Sequence, residues 1–313
     1  MHFALTEEEE LIRESARKLA TDRLAPLAER LDRGEGRSEF LGNLKLLAEN
    51  GFMALNVKSL FGGTEAGTVS FALALEELAA ACASTAVTTS VTNMVGEVIQ
   101  AVGNEQQKST YLPKLADGTF PAGAFCLTES GAGSDPAGMK LRARRDGETY
   151  VLDGQKIYIT SGEYAGLFVV WGVTAPDAPK GKGISVFLVP ADTPGVSVGK
   201  AEKKMGQTGS ATNTIHCDGA RIPAANLMGK ENDGFRVAVG ELAGGRIGVA
   251  SVSLGIARAA MDAAKSYARE RKQFGQAISD FQGLQWMIAD RELDLPAARL
   301  LILDAAAQKD RGE

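Results

Sequence analysis

The order of patterns along the chain predicts an α+β fold with helices and strands segregated rather than alternating. Helical periodicity runs to about Gly118, period-two alternation from Phe120 to about Gly229, and helical periodicity again to the end. Neither GxxxxGK[ST] nor a complete GxGxxG occurs, so no phosphate loop or nicotinamide fold is expected. The three stretches define an N-terminal helical domain (1–119), a middle β domain (120–229) and the first two long helices of a C-terminal bundle (230–313).

In the first stretch, Thr6-Glu7-Glu8-Glu9 is a capping box, and Leu11, Ile12, Ala16, Leu19 and Ala20 follow at helical spacing, with Pro26 expected to kink the far end. Further helices are expected over Phe40–Glu49, stopped by Asn50-Gly51, over Ser70–Cys82, Ala86–Ala101, and Glu105–Leu115 behind Asn104. In the middle stretch, Asp146-Gly147 marks one turn, and Thr149–Leu152, Asp153-Gly154 and Lys156–Thr160 form a hairpin signal. Phe168–Val173, Ile184–Val189 and Thr212–Cys217 continue the alternation. In the last stretch, helical spacing resumes after Asn232-Asp233-Gly234 and runs through Arg269. Ser279-Asp280-Phe281-Gln282 reads as the capping box of a second helix that Pro296 should kink, with an apolar stripe of Leu284, Ile288, Leu295, Leu300 and Leu301.

Composition narrows the function. With 313 residues, 44% hydrophobic and 23% charged, the chain is an ordinary globular protein large enough for two or three domains. Lys+Arg 34 against Asp+Glu 39 gives a net charge of −5, which argues against a nucleic-acid or anionic-membrane partner. The segment Met1–Glu10 lacks the basic start and apolar run of a signal peptide, no uncharged run is long enough to span a bilayer, and Cys82, Cys126 and Cys217 are too scattered for a disulfide scaffold, so a cytoplasmic location is expected. His2 and His216 are the only histidines, too few for a His-based metal site or a Ser/His/Asp triad; no metal is expected.

Three motifs carry chemistry. Thr128-Glu129-Ser130-Gly131-Ala132-Gly133-Ser134-Asp135-Pro136 is either an ordinary turn between strands or a loop in which glycines, a Ser134 or Asp135 cap and Pro136 leave N–H groups facing an anion. Gly244-Gly245-Arg246 lies inside a long helix, where each glycine costs about 1 kcal/mol relative to alanine. Close helix packing or a face kept open toward Arg246 would offset that cost. Arg269-Glu270-Arg271-Lys272-Gln273-Phe274-Gly275 suits a helix C-cap; an arginine there could also hold a phosphate, but nothing in the residues themselves prefers that.

Taken together, these residues resemble the acyl-CoA dehydrogenase family of flavoproteins. The resemblance rests on Cys126–Asp135, Lys156-Ile157-Tyr158-Ile159-Thr160, Lys204-Met205-Gly206, Arg221-Ile222-Pro223, Gly244–Gly248 and Glu270–Gly275, all in family order. It implies FAD and a homotetramer, a dimer of dimers. Leu127, Thr128 and Thr160 would hydrogen-bond the flavin ring and Tyr158 pack on it, with Ser134 also at the cofactor. Ser134 and Arg246 would contact the CoA-thioester, and Arg271, Phe274 and Gln282 would reach the flavin of a neighbouring subunit. The implied reaction is α,β-dehydrogenation of an acyl-CoA: a carboxylate takes the α-proton, the β-hydrogen leaves as hydride to flavin N5, and an electron-transfer flavoprotein receives the electrons.

The chain also departs from the family pattern. It ends at Glu313, before the helices that normally carry the catalytic glutamate, and Gly245 occupies the position where a minority of the family places it. Glu241, one turn earlier on the same face, reads as a solvated helix glutamate and only secondarily as a candidate substitute base, and Glu129 is expected to be a structural acceptor. Tyr158 stands where tryptophan is common, Thr208 where arginine is common and Ala243 where an acidic residue is common. The alternatives are a family-like flavoprotein oxidase or monooxygenase using oxygen, and a catalytically inactive partner subunit.

Overall fold

The computed structural model describes residues 4–313, so His2 lies outside the described residues. Six helices come first: α1 (Glu7–Leu19), α2 (Ala25–Asp32), α3 (Arg37–Glu49), α4 (Gly67–Ala81), α5 (Ala83–Val102) and α6 (Glu105–Ala116). Strands β1 (Ala122–Cys126), β2 (Arg142–Asp146), β3 (Thr149–Thr160), β4 (Ala165–Val173), β5 (Ile184–Pro190), β6 (Val196–Val198), β7 (Thr212–Pro223) and β8 (Leu227–Met228) follow. Then come α7 (Gly234–Glu270), the short pair β9 (Lys272–Gln273) and β10 (Gln276–Ala277), and α8 (Gln282–Asp310). The α+β segregation is as the sequence predicts. The elements assemble into two compact units that cut across its three stretches: one contains residues up to Glu29, Ala66–Val87 and Arg246–Glu313, the other Arg30–Glu65 and Thr88–Gly245.

The first unit is helical. The capping box at Thr6 forms as expected, its hydroxyl accepting from the Glu9 N–H at 3.2 Å while the Glu9 carboxylate accepts from the Thr6 N–H at 2.7 Å. Ahead of Pro26 the chain makes a π-helical turn over Ala20–Leu24, in which the Ala25 N–H bonds to the Ala20 carbonyl. This shift of register places the junction next to the residue that has no N–H to give. Helix α4 is buried along most of its length, and its Val69, Ala72 and Leu73 pack on Leu303 and Ala306 of α8. A Cβ on Gly255 of α7 would lie 2.3 Å from the Glu76 carbonyl oxygen, so these two backbones approach as only glycine allows. The Asp310 carboxylate accepts from the Thr68 and Val69 amides, closing the α4 N-terminus.

At the core of this unit lies an ion network. Glu77 accepts forked hydrogen bonds from Arg17 (2.9 and 3.2 Å) and Arg258 (2.6 and 3.0 Å), and Glu76 accepts from Arg299 (2.5 and 2.9 Å). Burial pushes the Glu77 carboxyl upward, but the hydrogen bonds from Arg258 and Arg17 outweigh it and hold the group below the usual carboxylate value.

One capping expectation is corrected. The Ser279–Gln282 signature does not cap α8: Ser279 and Asp280 belong to a 3₁₀ turn, extended Phe281 is the N-cap without a side-chain bond, and the Ser279 carbonyl instead accepts from the Gln285 side chain. Pro296 sits on the exposed side of α8, which continues through it. Of the apolar stripe on α8, Leu300 and Leu301 are exposed while Leu284, Ile288 and Leu295 are half-buried. Helix α7 is long and apolar enough, by length and composition only, to cross a membrane, while Glu241, Arg246 and Arg258 keep its uncharged runs short, as expected.

The second unit is built on one eight-stranded sheet of order β6-β7-β3-β2-β4-β5-β8, with β1 pairing parallel to β4. One face packs Tyr150, Phe168, Phe187 and Ile215 into a core that includes Cys126 and Cys217. The other packs Trp171, Leu167 and Val169 with Val95, Ile99 and Leu112 of α5 and α6. Burial pushes both thiols up, that of Cys217 to about 11. Gln107 ties α6 to the sheet by donating to the carbonyls of Ala225 (2.7 Å) and Leu227 (2.8 Å).

The turn at Asp146-Gly147 joins β2 to β3 with Gly147 at φ 61°, as expected. The turn expected at Asp153-Gly154 is absent, and β3 runs unbroken through it. Gly154, at φ 139°, marks a register shift against β7, and a Cβ there would lie 2.9 Å from the Leu141 Cα. The glycine serves close approach and a bulge, a use that sequence cannot distinguish from a hairpin.

Candidate functional site

Strand β1 delivers the chain to Leu127, where the Thr128–Pro136 motif begins. Strand β3 runs alongside, so the Ile157 N–H donates to the Thr128 carbonyl at 2.9 Å. The neighbouring Lys156 points the other way, by the two-residue period of a strand, into the interior, where it is fully buried. Its ammonium donates to the Leu127 carbonyl at 3.0 Å and to Glu129 Oε1 at 2.8 Å, beside the Met139 sulfur at 3.7 Å. Burial pulls the Lys156 ammonium below its ordinary value, and Glu129 opposes that pull.

Glu129 is the structural acceptor the sequence reading expected. Besides Lys156 it accepts from the amides of Lys140 (2.6 Å) and Leu141 (3.0 Å), and its own backbone exchanges hydrogen bonds with Ala132. One carboxylate therefore closes both ends of the 127–141 loop onto β3. The ordinary-turn reading holds for Glu129–Ala132. The expected Asp135 cap is absent: Pro136–Gly138 is a single 3₁₀ turn, and Asp135 pairs with Lys180 instead. Gly131 and Gly133 have no atom within 4 Å of where a Cβ would sit, so their small size leaves open space beside the loop.

What the loop leaves unbonded defines the candidate site. Among the described residues the N–H groups of Leu127 and Thr128 find no acceptor, and the hydroxyls of Thr128 and Thr160 find no partner. Leu127 is buried, and a buried amide without an acceptor is rare in a native protein. Beyond Lys156, the register of β3 shifts again and Tyr158 adopts φ 57°, a strained conformation for a bulky residue, and is 64% exposed. Ser161 follows at φ 68° with its hydroxyl buried and unpartnered. Leu127, Thr128, Tyr158 and Thr160 are thus brought together at one end of β3, and Ser134 lies exposed farther along the same loop. An exposed aromatic ring beside open amide and hydroxyl donors fits a flat heterocycle rich in hydrogen-bond acceptors.

The other expected site residues lie on α7 and beyond. A Cβ on Gly245 would meet the Met94 sulfur at 3.0 Å, so close packing accounts for that glycine, while Arg246 is exposed. Glu241 is half-buried and already engaged by another group of the protein. Gly275 does not cap α7. Phe274 (φ 51°) and Gly275 (φ 82°) are the two turn residues of the β9–β10 hairpin; Phe274 is 94% exposed, its ring edge-on to Phe281 at 6.3 Å. Arg271 precedes this hairpin, its carbonyl accepting from the Ile278 N–H at 2.8 Å, and Gln282 opens α8. The sequence missed Lys156 as a site organiser, although a lysine in an alternating strand at an inward position was the available signal.

The chain matches three family models: the acyl-CoA dehydrogenase N-terminal domain over residues 6–119, the middle domain over 124–220 and the C-terminal domain over 232–313. It is 39% identical over 314 residues to a short-chain specific acyl-CoA dehydrogenase of Clostridium acetobutylicum, covering 100% of this chain and 82% of that protein. A chain solved in work on the electron transferring flavoprotein of Acidaminococcus fermentans superposes with a TM-score of 0.95 at 39% identity, over 100% of this chain and 82% of that one. A glutaryl-CoA dehydrogenase from Mycobacterium smegmatis, solved in complex with FADH2, gives 0.88 at 30% identity over 98% and 77%. Similarity over the whole chain, in sequence and in structure, leads to one conclusion: the chain belongs to the acyl-CoA dehydrogenase family of oxidoreductases.

Proposed function

We propose that the protein is an FAD-dependent enzyme that removes hydrogen across the α,β carbon–carbon bond of an acyl-CoA thioester. The observation that carries this reading is the set of open donors around Leu127, Thr128 and Thr160, beside the exposed Tyr158 ring, in a chain of this family. When bound, FAD supplies a two-electron acceptor for hydride. The Leu127 and Thr128 amides and the Thr128 and Thr160 hydroxyls hold its ring through hydrogen bonds, and Tyr158 packs on it. Ser134 serves both cofactor and thioester, and Arg246 the thioester.

Arg271, Phe274 and Gln282 serve the flavin of a neighbouring subunit, which requires a homo-oligomer, a dimer of dimers. A hairpin tip that presents an aromatic ring almost wholly to solvent supports that role. Electrons pass to an electron-transfer flavoprotein, a reading supported by the likeness to the Acidaminococcus chain, and the reaction takes place in the cytoplasm. The thioester α-carbon is a weak acid, so its proton is taken by a carboxylate while the carbonyl oxygen is held by hydrogen-bond donors. Glu241 is engaged within the protein, and we assign it no part in that step.

Anaerobic addition of a panel of acyl-CoAs to the FAD-loaded protein is expected to bleach the long-wavelength flavin band. A bound flavin whose band is untouched by every thioester would overturn the substrate assignment. Rapid recovery of the band on admitting oxygen, without a protein acceptor, would assign the oxidase chemistry instead.

A further inference from the structure

We infer that Lys156 is a positioning residue that makes the Thr128 amide a stronger hydrogen-bond donor and so favours the reduced over the oxidised flavin; this rests on the reading of Leu127 and Thr128 as flavin donors. The Leu127 carbonyl and the Thr128 N–H belong to the same peptide unit. A buried ammonium 3.0 Å from that carbonyl draws electron density toward the oxygen and leaves the N–H more positive. The Thr128 N–H has no acceptor in the protein, so its added donor strength is available to a ligand.

The counter-charge does not cancel this effect. Glu129 divides its carboxylate among Lys156 and the amides of Lys140 and Leu141, whereas the ammonium bonds the Leu127 carbonyl directly. The low dielectric of the interior leaves the remaining dipole poorly screened. Reduction adds two electrons to the isoalloxazine and makes its ring carbonyls and nitrogens better acceptors. A polarised donor therefore gains more with the reduced ring than with the oxidised one.

The test measures the affinity of the full chain for oxidised and for reduced FAD, separately, in the wild type and in a Lys156→Met/Glu129→Gln double variant that buries no unpaired charge. In the variant, the preference for the reduced form is expected to fall about tenfold, equivalent to about 30 mV for a two-electron couple, with the oxidised affinity changed less than about threefold. Equal losses for both forms would show a merely structural role and overturn the inference, as would no change in either. A wild type that binds neither form would sink the flavin reading itself, and the inference with it. A second measurement needs no variant: in wild-type protein with labelled threonine, the Thr128 amide proton should move farther downfield with reduced than with oxidised FAD, and an identical position in both states would overturn the inference.

Discussion

Replacing Glu129 by alanine is expected to destabilise the second unit by about 3–5 kcal/mol, the range for removing one partner of a buried ion pair. The substitution strands the Lys156 ammonium where it is fully buried, with only the Leu127 carbonyl and the Met139 sulfur left to it. It also removes the acceptor of the Lys140 and Leu141 amides, which frees the far end of the loop. Urea unfolding should show the loss, and amide exchange should speed up over residues 127–141 before the rest of the sheet opens. Adding Lys156→Met to Glu129→Ala should recover part of the stability, because the orphaned charge is then gone. A Glu129→Ala protein as stable as wild type would mean that the pair does not hold the loop.

The second large effect is expected at Glu77. Glu77→Ala removes the common acceptor of Arg17 and Arg258, and the side chain it removes is 4% exposed. Arg17 is about half exposed and can turn to water, so we discount the full buried-pair penalty to about 3 kcal/mol. The pH dependence has a definite sign. The folded-state pKa of Glu77 lies below its unfolded value, so the group contributes stability at neutral pH that is lost as pH falls through the carboxylate range. Thermal melts should therefore separate wild type from Glu77→Ala at pH 7 and draw together in acid. A difference that stays constant or widens in acid would contradict the ion-pair explanation.

Both predictions concern charges whose burial was hard to read from sequence. The helix containing Glu76 and Glu77 was legible, since Ser70–Cys82 has the right periodicity, but its two carboxylates looked like any helix-surface pair. Their arginine partners come from three other segments, at Arg17, Arg258 and Arg299, and only tertiary packing brings them together. A pair of glutamates inside an otherwise apolar helix was the one local hint. The Thr128–Pro136 motif was legible as a glycine-rich turn, and its open space at Gly131 and Gly133 follows from those glycines. Its anchor was not, since Lys156 lies 27 residues beyond Glu129 and reads locally as an ordinary strand residue.

Glycine was the most ambiguous signal. At Asp146-Gly147 it marks a true hairpin, at Gly154 a close approach to Leu141, and at Gly275 a hairpin where a helix cap was one reading. Asp146-Gly147 and Asp153-Gly154 are the same dipeptide, and what separates them is the Leu141 backbone opposite Gly154, which depends on the assembled sheet.

The most direct test is an equilibrium titration of the flavin-free chain with FAD, run in parallel on wild type and on Thr160→Val, which keeps the shape of the side chain and removes its open hydroxyl. Saturable binding is expected, with the affinity of Thr160→Val reduced about tenfold or somewhat less, as for loss of one hydrogen bond to a polar ring atom. Absence of FAD binding by the wild type, or equal binding by both proteins, would contradict the placement of the flavin at the end of β3.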